Sequence, residues 1–287
     1  MSNLVVFDGS NLLHRSFHAL KNTDLRDVEG RPVWAVHGLL MSISSIYKKL
    51  NCTNMIVTFD APGSSKRKKE MYEGYKATRP KSDGNVDIQL SLAFVILSSI
   101  GISTIADPNE EADDLIASIT EQGKKMFESV YVVSNDRDCY QLIDSNVFVV
   151  KPNMEIWNYE KLYEKYELTP EEYVYLAALR GEESDNIKGI KGIGEKKGIK
   201  LIKSGVNFSD IENERKKITQ EIGEKLSIEI IANKDLLAKN INIIKLNRSI
   251  QVEKVIENSK FQVNEEKLKD ILFDYNLKSA YNSFMSA

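Results

Sequence analysis

Five carboxylates crowd into one short stretch of the chain: Glu111, Asp113 and Asp114 at its start, Asp136 and Asp138 at its end. Between them lie a helical run, Leu115-Ile116-Ala117-Ser118-Ile119, and a strand-like run, Val130-Tyr131-Val132-Val133. Asp and Glu are seldom buried unless paired or bound to a cation, so packing does not account for this density. Taken alone, each cluster reads equally as a solvated helix start or a polar turn, because acidic residues favour the first turn of a helix. The alternative is a cation site shared by both ends of one helix–strand unit.

The elements around these residues follow a repeated grammar. Residues 3–8, Asn-Leu-Val-Val-Phe-Asp, are an apolar run ending in Asp8, and Gly9, Ser10 and Asn11 turn the chain into a helical pattern. A helical pattern at 34–50 leads to Met55-Ile56-Val57-Thr58-Phe59 and then Asp60. Ile102–Ile105 before the Glu111 cluster and Val130–Val133 before Asp136 are the third and fourth copies. Strands alternating with helices predict an α/β domain with a mostly parallel central sheet flanked by helices. Ligands of such sheets bind beyond the carboxyl ends of the strands, which is where Asp8, Asp60, Asp136 and Asp138 fall.

Between Gly63 and Gln89 the composition changes. Lys66, Arg67, Lys68, Lys69, Lys76, Arg79 and Lys81 are interleaved with Tyr72 and Tyr75. A solvated loop would look like this, and so would a segment built for phosphate contact and base stacking. All six prolines lie at or before Pro170, and a mainly helical second region follows. Within it, Gly181-Glu182-Glu183-Ser184-Asp185-Asn186 precedes a glycine-rich hairpin, Gly189, Gly192 and Gly194, and an amphipathic run from Glu195 to Lys203. Such a hairpin can offer backbone N–H groups to a phosphate, or be a plain turn between helices. Apolar positions at helical spacing across 236–284, such as Leu236, Ile244 and Leu272, read as packing.

Composition bounds the rest. With 287 residues, 42% hydrophobic and 28% charged, the chain is an ordinary globular protein of one or two domains. Its longest apolar run, Leu92–Leu97, is far too short to span a membrane, and no export signal opens the chain. Two cysteines, Cys52 and Cys139, have no metal-type spacing; they fit a reducing cytoplasm, bacterial or that of a phage host.

Eight motifs, in order, resemble one family. They are Phe-Asp-Gly (7–9), Arg15-Ser-Phe-His-Ala-Leu, Thr-Phe-Asp (58–60), Tyr75-Lys-Ala-Thr-Arg79, Glu-Ala-Asp-Asp (111–114), Asn-Asp-Arg-Asp (135–138), Ser-Asp-Asn (184–186) and Gly-Ile-Lys-Gly-Ile-Gly (189–194). The chain is similar to the 5′ nucleases, that is, the 5′→3′ exonuclease domain of bacterial DNA polymerase I and its free-standing phage flap endonuclease relatives. The resemblance runs from Val5 to about Lys203, with a weaker echo at Ala238–Leu246. It implies a PIN-like nuclease core at 1–175 that includes a helical arch at 63–90. A helix–hairpin–helix and C-terminal helical region at 176–287 would grip duplex DNA.

The same resemblance assigns roles. Asp8, Asp60, Glu111 and Asp113 match ligands of a first metal, with Asp114 close by; Asp136, Asp138 and Asp185 match those nearer a second. Glu182 stands where the family has Asp, one methylene longer. Lys76 matches the lysine that approaches the scissile phosphate, joined by Arg79 and by Lys68, which replaces an Arg and so loses bidentate recognition. Arg15, Lys66, Arg67, Tyr72 and Tyr75, with Gly189, Gly192, Gly194, Lys196 and Lys197, are expected on DNA. The implied cofactors are two Mg²⁺ or Mn²⁺, suited to oxygen ligands without His or Cys, and a K⁺ at the hairpin. The formal net charge is −3, and the nine carboxylates named contribute −9, leaving +6 for the rest of the chain, as a polyanion binder requires.

The implied activity is structure-specific cleavage of DNA at 5′ flaps and ends, nicked or blunt duplex and RNA–DNA primers included, by a monomer in replication and repair. A free-standing phage replication protein is the expected context. His14, His18 and His37 are expected to be structural or to lie near DNA, and Cys139 to be core. Among other readings, a PIN-type ribonuclease would be about half this length, and a haloacid-dehalogenase-like phosphatase would need Asp where Ser10 stands. A DNA-junction binding module without catalysis would tolerate the change at Glu182.

Overall fold

The computed structural model describes residues 2–79 and 83–286; Lys81 of the basic run lies outside the described residues. Six strands form the central sheet: β1 (Leu4–Asp8), β2 (Asn54–Asp60), β3 (Ser103–Asp107), β4 (Val130–Val133), β5 (Val147–Val150) and β6 (Ile156–Trp157). Their order is β3-β2-β1-β4-β5-β6, with β1 to β5 parallel and β6 antiparallel to β5. Parallel sheets are covered on both faces, so their central strands are apolar throughout. Every residue of β1 is buried, with Leu4 and Val6 in the core of one face and Val5 and Phe7 in that of the other.

After β1 the chain builds one side of the sheet, β2 and β3, and then crosses to build the other from β4. The crevice between β1 and β4 is therefore the switch point, where ligands of such folds bind. Register pairs Asp8 with Thr58 and Phe7 with Val133, which brings Asp8, Asp60 and the turn after Val133 to one edge.

Helices α1 (Gly9–Leu20) and α2 (Trp34–Lys49) cover one face. Among its described residues, the link from β2 holds a short helix, α3 (Lys66–Met71), and a run of turns to Arg79 before α4 (Gly84–Ser99). Val86 and Gln89 of α4 are already buried, and Ala35 N–H donates to Gln89 Oε1 at 2.7 Å. The last part of the expected arch, residues 84–90, is thus the start of α4, which buries Val86 and Gln89 and leaves Asp87 and Ile88 exposed. On the other face lie α5 (Ala112–Gly123), α6 (Tyr159–Tyr166) and α7 (Pro170–Arg180). A Thr169–Glu172 capping box and Pro170 start α7, which runs through the expected 175/176 boundary.

A two-residue ladder, β7 (Gly181–Glu182) against β8 (Ile187–Lys188), follows α7 and leads to α8 (Glu195–Lys203). Glycine is required here: a Cβ on Gly189 would stand 2.0 Å from Arg180 O. Helices α9 (Arg215–Ile222), α10 (Glu224–Ala232) and α11 (Lys234–Ile244) complete this module. Buried Asn240 of α11 donates to Ala178 O and Lys188 O, at 3.0 and 2.8 Å, and fixes the hairpin to α7.

Beyond α12 (Glu253–Glu257) the chain leaves the helical module. Phe261 N–H donates to Thr53 O, and α13 (Glu265–Asp274) and α14 (Lys278–Met285) bury Leu268, Leu272, Ala280 and Phe284 in the core that holds α1, α2 and α4. His37 of α2 hydrogen-bonds Ser279 Oγ at 2.7 Å, a structural role. Cys52 and Cys139 are both buried free thiols. No helix among the described residues is long and apolar enough to cross a membrane.

Candidate active site

Strand ends and helix starts position the carboxylates. Asp8 closes β1 and caps α1; its Oδ1 accepts Asn11 N–H at 3.0 Å and its Oδ2 accepts Ser134 Oγ at 2.7 Å. Asp60 closes β2, and its Oδ1 accepts Ala112 N–H at 2.9 Å, which ties it to the start of α5. Asp113 lies in the first turn of α5. In the turn after β4, Asp136 N–H donates to Ser134 Oγ and Asp138 N–H to Asp136 Oδ1, at 3.0 and 2.8 Å.

These carboxyls strain against one another. Burial, then the charges of Asp60 and Asp136, push Asp8 up to about 7, although Asn11 and Ser134 favour its charged form. Burial followed by Asp136 and Asp8 raises Asp113 well above the carboxylate range. Asp138 is raised in the same way, by burial and Asp136 first and by Glu182 and Asp185 further on. As the side chains stand, no three of them among the described residues are drawn together around one point.

Glu111 and Asp114 are placed otherwise. Glu111 Oε2 accepts Tyr75 Oη and Lys68 Nζ, both at 2.8 Å, and its Oε1 accepts Lys76 Nζ at 2.6 Å. Burial favours its neutral form, but Lys68 and Lys76 outweigh that and hold it at about 2. Asp114 accepts Asn247 N–H at 2.8 Å and Arg67 Nη2 at 2.9 Å, with Lys68 Nζ at 3.3 Å. The ligand role expected of Asp114 gives way to that of a buried brace. Three further expectations change for the same reason. Lys68 is 4% exposed and pinned between two carboxylates, so it does not face a phosphate. Tyr75, 2% exposed, presents no face for a base to stack on. Arg67 pairs with Glu110 and Asp114 rather than pointing free.

The segment carrying Lys76 is latched to the glycine hairpin. Lys76 N–H donates to Asp185 O at 2.9 Å, Asn186 Nδ2 to Gly74 O at 2.7 Å and Tyr72 Oη to Asn186 O at 3.1 Å. Arg79 adds bonds to Ser184 O and Asp185 Oδ1. Lys76 and Asn186 both adopt left-handed backbone, at φ 56° and 57°, a conformation uncommon outside glycine and held here by the latch. Glu182 accepts from Arg180 Nη2 and Ser184 Oγ and sits at the rim, 34% of its side chain exposed.

A cleft of about 820 Å³ opens between these parts, with Asp136, Asp138, Glu182, Asp185, Arg180 and Lys188 on its walls. Arg15, Lys66 and Lys196 are exposed, as a DNA contact requires. Gly194 caps α8 with no side chain covering its N-terminus, and Lys197 Nζ donates to Gly192 O at 3.1 Å. Sequence reasoning assigned nothing to Ser10, Ser134 or Asn186. Ser10 Oγ accepts Asp60 N–H at 2.8 Å, a bond between residues fifty positions apart, whereas Ser134 bonds Asp136 N–H two positions on, the local pattern of a hydroxyl beside a turn.

Comparison with known sequences decides the family. The 5′-3′ exonuclease N-terminal resolvase-like domain matches residues 3–167, and the 5′-3′ exonuclease C-terminal SAM fold matches residues 168–267. The chain belongs to the 5′-3′ exonuclease family. Among its relatives, the 5′-3′ exonuclease of Aquifex aeolicus (strain VF5) is 32% identical over 97% of this chain and 94% of its own length. That of Buchnera aphidicola subsp. Acyrthosiphon pisum is 34% identical over 87% and 89%. The match to Thermus thermophilus DNA polymerase I, 35% identical, covers 79% of this chain but 28% of the polymerase. In fold, this exonuclease resembles the T5 5′-exonuclease solved with divalent metal ions (zinc), at a TM-score of 0.69, 25% identity and 94% and 98% coverage. Methanococcus jannaschii flap endonuclease-1 shares the fold at a TM-score of 0.55 and 17% identity, over 96% and 92%. The resolvase-like and SAM-fold units meet between α6 and α7.

Proposed function

We propose that this 5′-3′ exonuclease is a structure-specific 5′ nuclease that depends on Mg²⁺ or Mn²⁺. It hydrolyses DNA phosphodiesters at 5′ flaps and 5′ ends, RNA primers included, and leaves 5′-phosphates. The observation that carries this reading is the placement of Asp8, Asp60, Asp113 and Asp136 along the carboxyl edge of the sheet, where the charges of Asp60 and Asp136 act against ionisation of the buried Asp8 and of Asp113. Hard oxygen donors without His or Cys fit these ions, and a divalent cation relieves that repulsion. Bound there, such ions would supply the positive charge needed to activate a water and to offset charge on the leaving 3′ oxygen.

Asp8, Asp60 and Asp113 would hold one ion, and Asp136, Asp138 and Asp185 the other, with Glu182 reaching in from the rim. Glu111 would join them by exchanging its lysines for a cation, which turns Lys76 toward the scissile phosphate with Arg79 beside it. Lys68 and Asp114 hold the floor of the site. Duplex backbone would lie on the open N-terminus of α8, Lys196 and the glycine turn. A K⁺ there would displace Lys197 from the Gly192 carbonyl. The protein would act as a monomer in a bacterial cytoplasm, or in the host's if phage-encoded.

A labelled 5′-flap duplex tests this directly. With Mg²⁺ it should yield products of defined length, and EDTA should stop the reaction. Asp136→Ala should slow it by a factor on the order of a thousand, as loss of several kcal/mol of charge stabilisation requires, while flap binding in Ca²⁺ persists. Cleavage that survives EDTA or Asp136→Ala would defeat the metal assignment.

A further inference from the structure

We propose that a basic pocket next to the acidic cleft is a second nucleic-acid subsite, one that takes backbone phosphates of DNA running on from the cleft. The pocket, about 450 Å³, is built where four separate elements meet. Arg15 comes from α1, Arg137 from the turn after β4, Lys151 from the end of β5 and Lys165 from α6. No ion pair joins any of these four to a carboxylate among the described residues. The carboxylate in the wall, Glu155, is taken by Lys161 at 2.7 Å.

Four like charges in one cavity repel one another, and an anion there removes the cost. Two of the four cationic heads lie beside aromatic rings. Tyr140 and Trp157 stack at 4.5 Å between centroids; Lys151 Nζ lies 4.8 Å from the Tyr140 ring and Lys165 Nζ 5.1 Å from the Trp157 ring. Lys151 is 8% exposed and spends one N–H on Asn135 O at 2.9 Å, which leaves two donors.

Position selects a polymer over a small anion. Asn135 and Arg137 line both the acidic cleft and the basic pocket, so a backbone that occupies one continues directly into the other. Each strand of duplex carries a phosphate per roughly 3.4 Å of axis, enough to set more than one phosphate on the pocket. The inference rests on the nuclease reading, since it places the substrate of that site.

Charge reversal tests it, because Arg15 and Lys165 are exposed and the Arg15→Glu/Lys165→Glu double variant should melt like the wild type. Affinity for labelled 5′-flap DNA would be read by fluorescence anisotropy in Ca²⁺ across a salt series. The double variant should bind at least about tenfold more weakly, and the slope of log affinity against log salt should shrink by roughly two, one per lost phosphate contact. Lys269→Glu/Lys278→Glu, the same charge change on α13 and α14, should leave both quantities at wild-type values. Wild-type affinity and slope in the Arg15/Lys165 variant, or equal losses in both double variants, would overturn the subsite. Failure of the nuclease reading looks different: the wild-type protein would leave the flap uncut in Mg²⁺, whatever the two double variants do to its affinity.

Discussion

Asp8 shows what the site asks of a single residue. It is 3% exposed, capped by two hydrogen bonds that favour its anion, and still raised from 3.8 to about 7. The sign is fixed by linkage: a folded-state value above the unfolded one means that the fold prefers the proton. That contribution is fully present below about pH 4 and is lost as pH rises to 7. In EDTA, Asp8→Asn should therefore gain on the wild type between pH 4 and 7 and level off above, by up to about 4 kcal/mol. Urea melts across that range read the difference; a variant no more stable at pH 8 than the wild type would show that the carboxylate carries no such burden. That Asp8 could hold a cation was legible in its place at the end of an apolar run. That Ser134 would orient it was not, because a hydroxyl 126 positions away leaves no periodic mark. Lys68 and Tyr75 misled for the complementary reason: residue type gives charge and ring, and only packing decides whether either reaches solvent.

At the scale of elements, the strand ends were the readable part, since parallel strands buried on both faces are written as unbroken apolar runs. The segment between β2 and α4 was not, because its shape comes from bonds to the hairpin more than a hundred residues later. Those bonds couple two functions, the Lys76 approach to the acidic cluster and the glycine turn expected on duplex. Asn186 is the joint, donating to Gly74 O while its own carbonyl receives Tyr72. Asn186→Ala should slow flap cleavage about tenfold, the equivalent of one lost hydrogen bond of about 1.4 kcal/mol at the barrier. Flap affinity in Ca²⁺ should change less than about threefold, because neither the carboxylates nor the α8 terminus is touched. A parallel fall in rate and affinity would make Asn186 a structural residue of the hairpin and not the joint that positions Lys76.

The whole molecule closes on itself in a way no local pattern announces. Apolar spacing across 236–284 predicts helices, and helices form, but the same spacing serves α11, which packs on α7, and α13, which returns to the first core. Periodicity states which face is buried and is silent on what buries it. The return is specific: Phe261 N–H on Thr53 O leads in, and Leu272, fully buried, belongs to the core that also holds residues of α2 and α4. If α13 and α14 are part of that core, Leu272→Ala should remove about 2–5 kcal/mol from the stability of the α/β unit itself. The two tryptophans make this readable. Trp34 belongs to the core shared with α13, and Trp157 to the core on the opposite face of the sheet. Urea unfolding followed by fluorescence of single-tryptophan versions should shift to lower urea by the same amount at both reporters, since one sheet carries the two cores. A shift at Trp34 alone would mean that the faces unfold separately, and no shift at either would make α13 and α14 an appendage to a core already complete at residue 257.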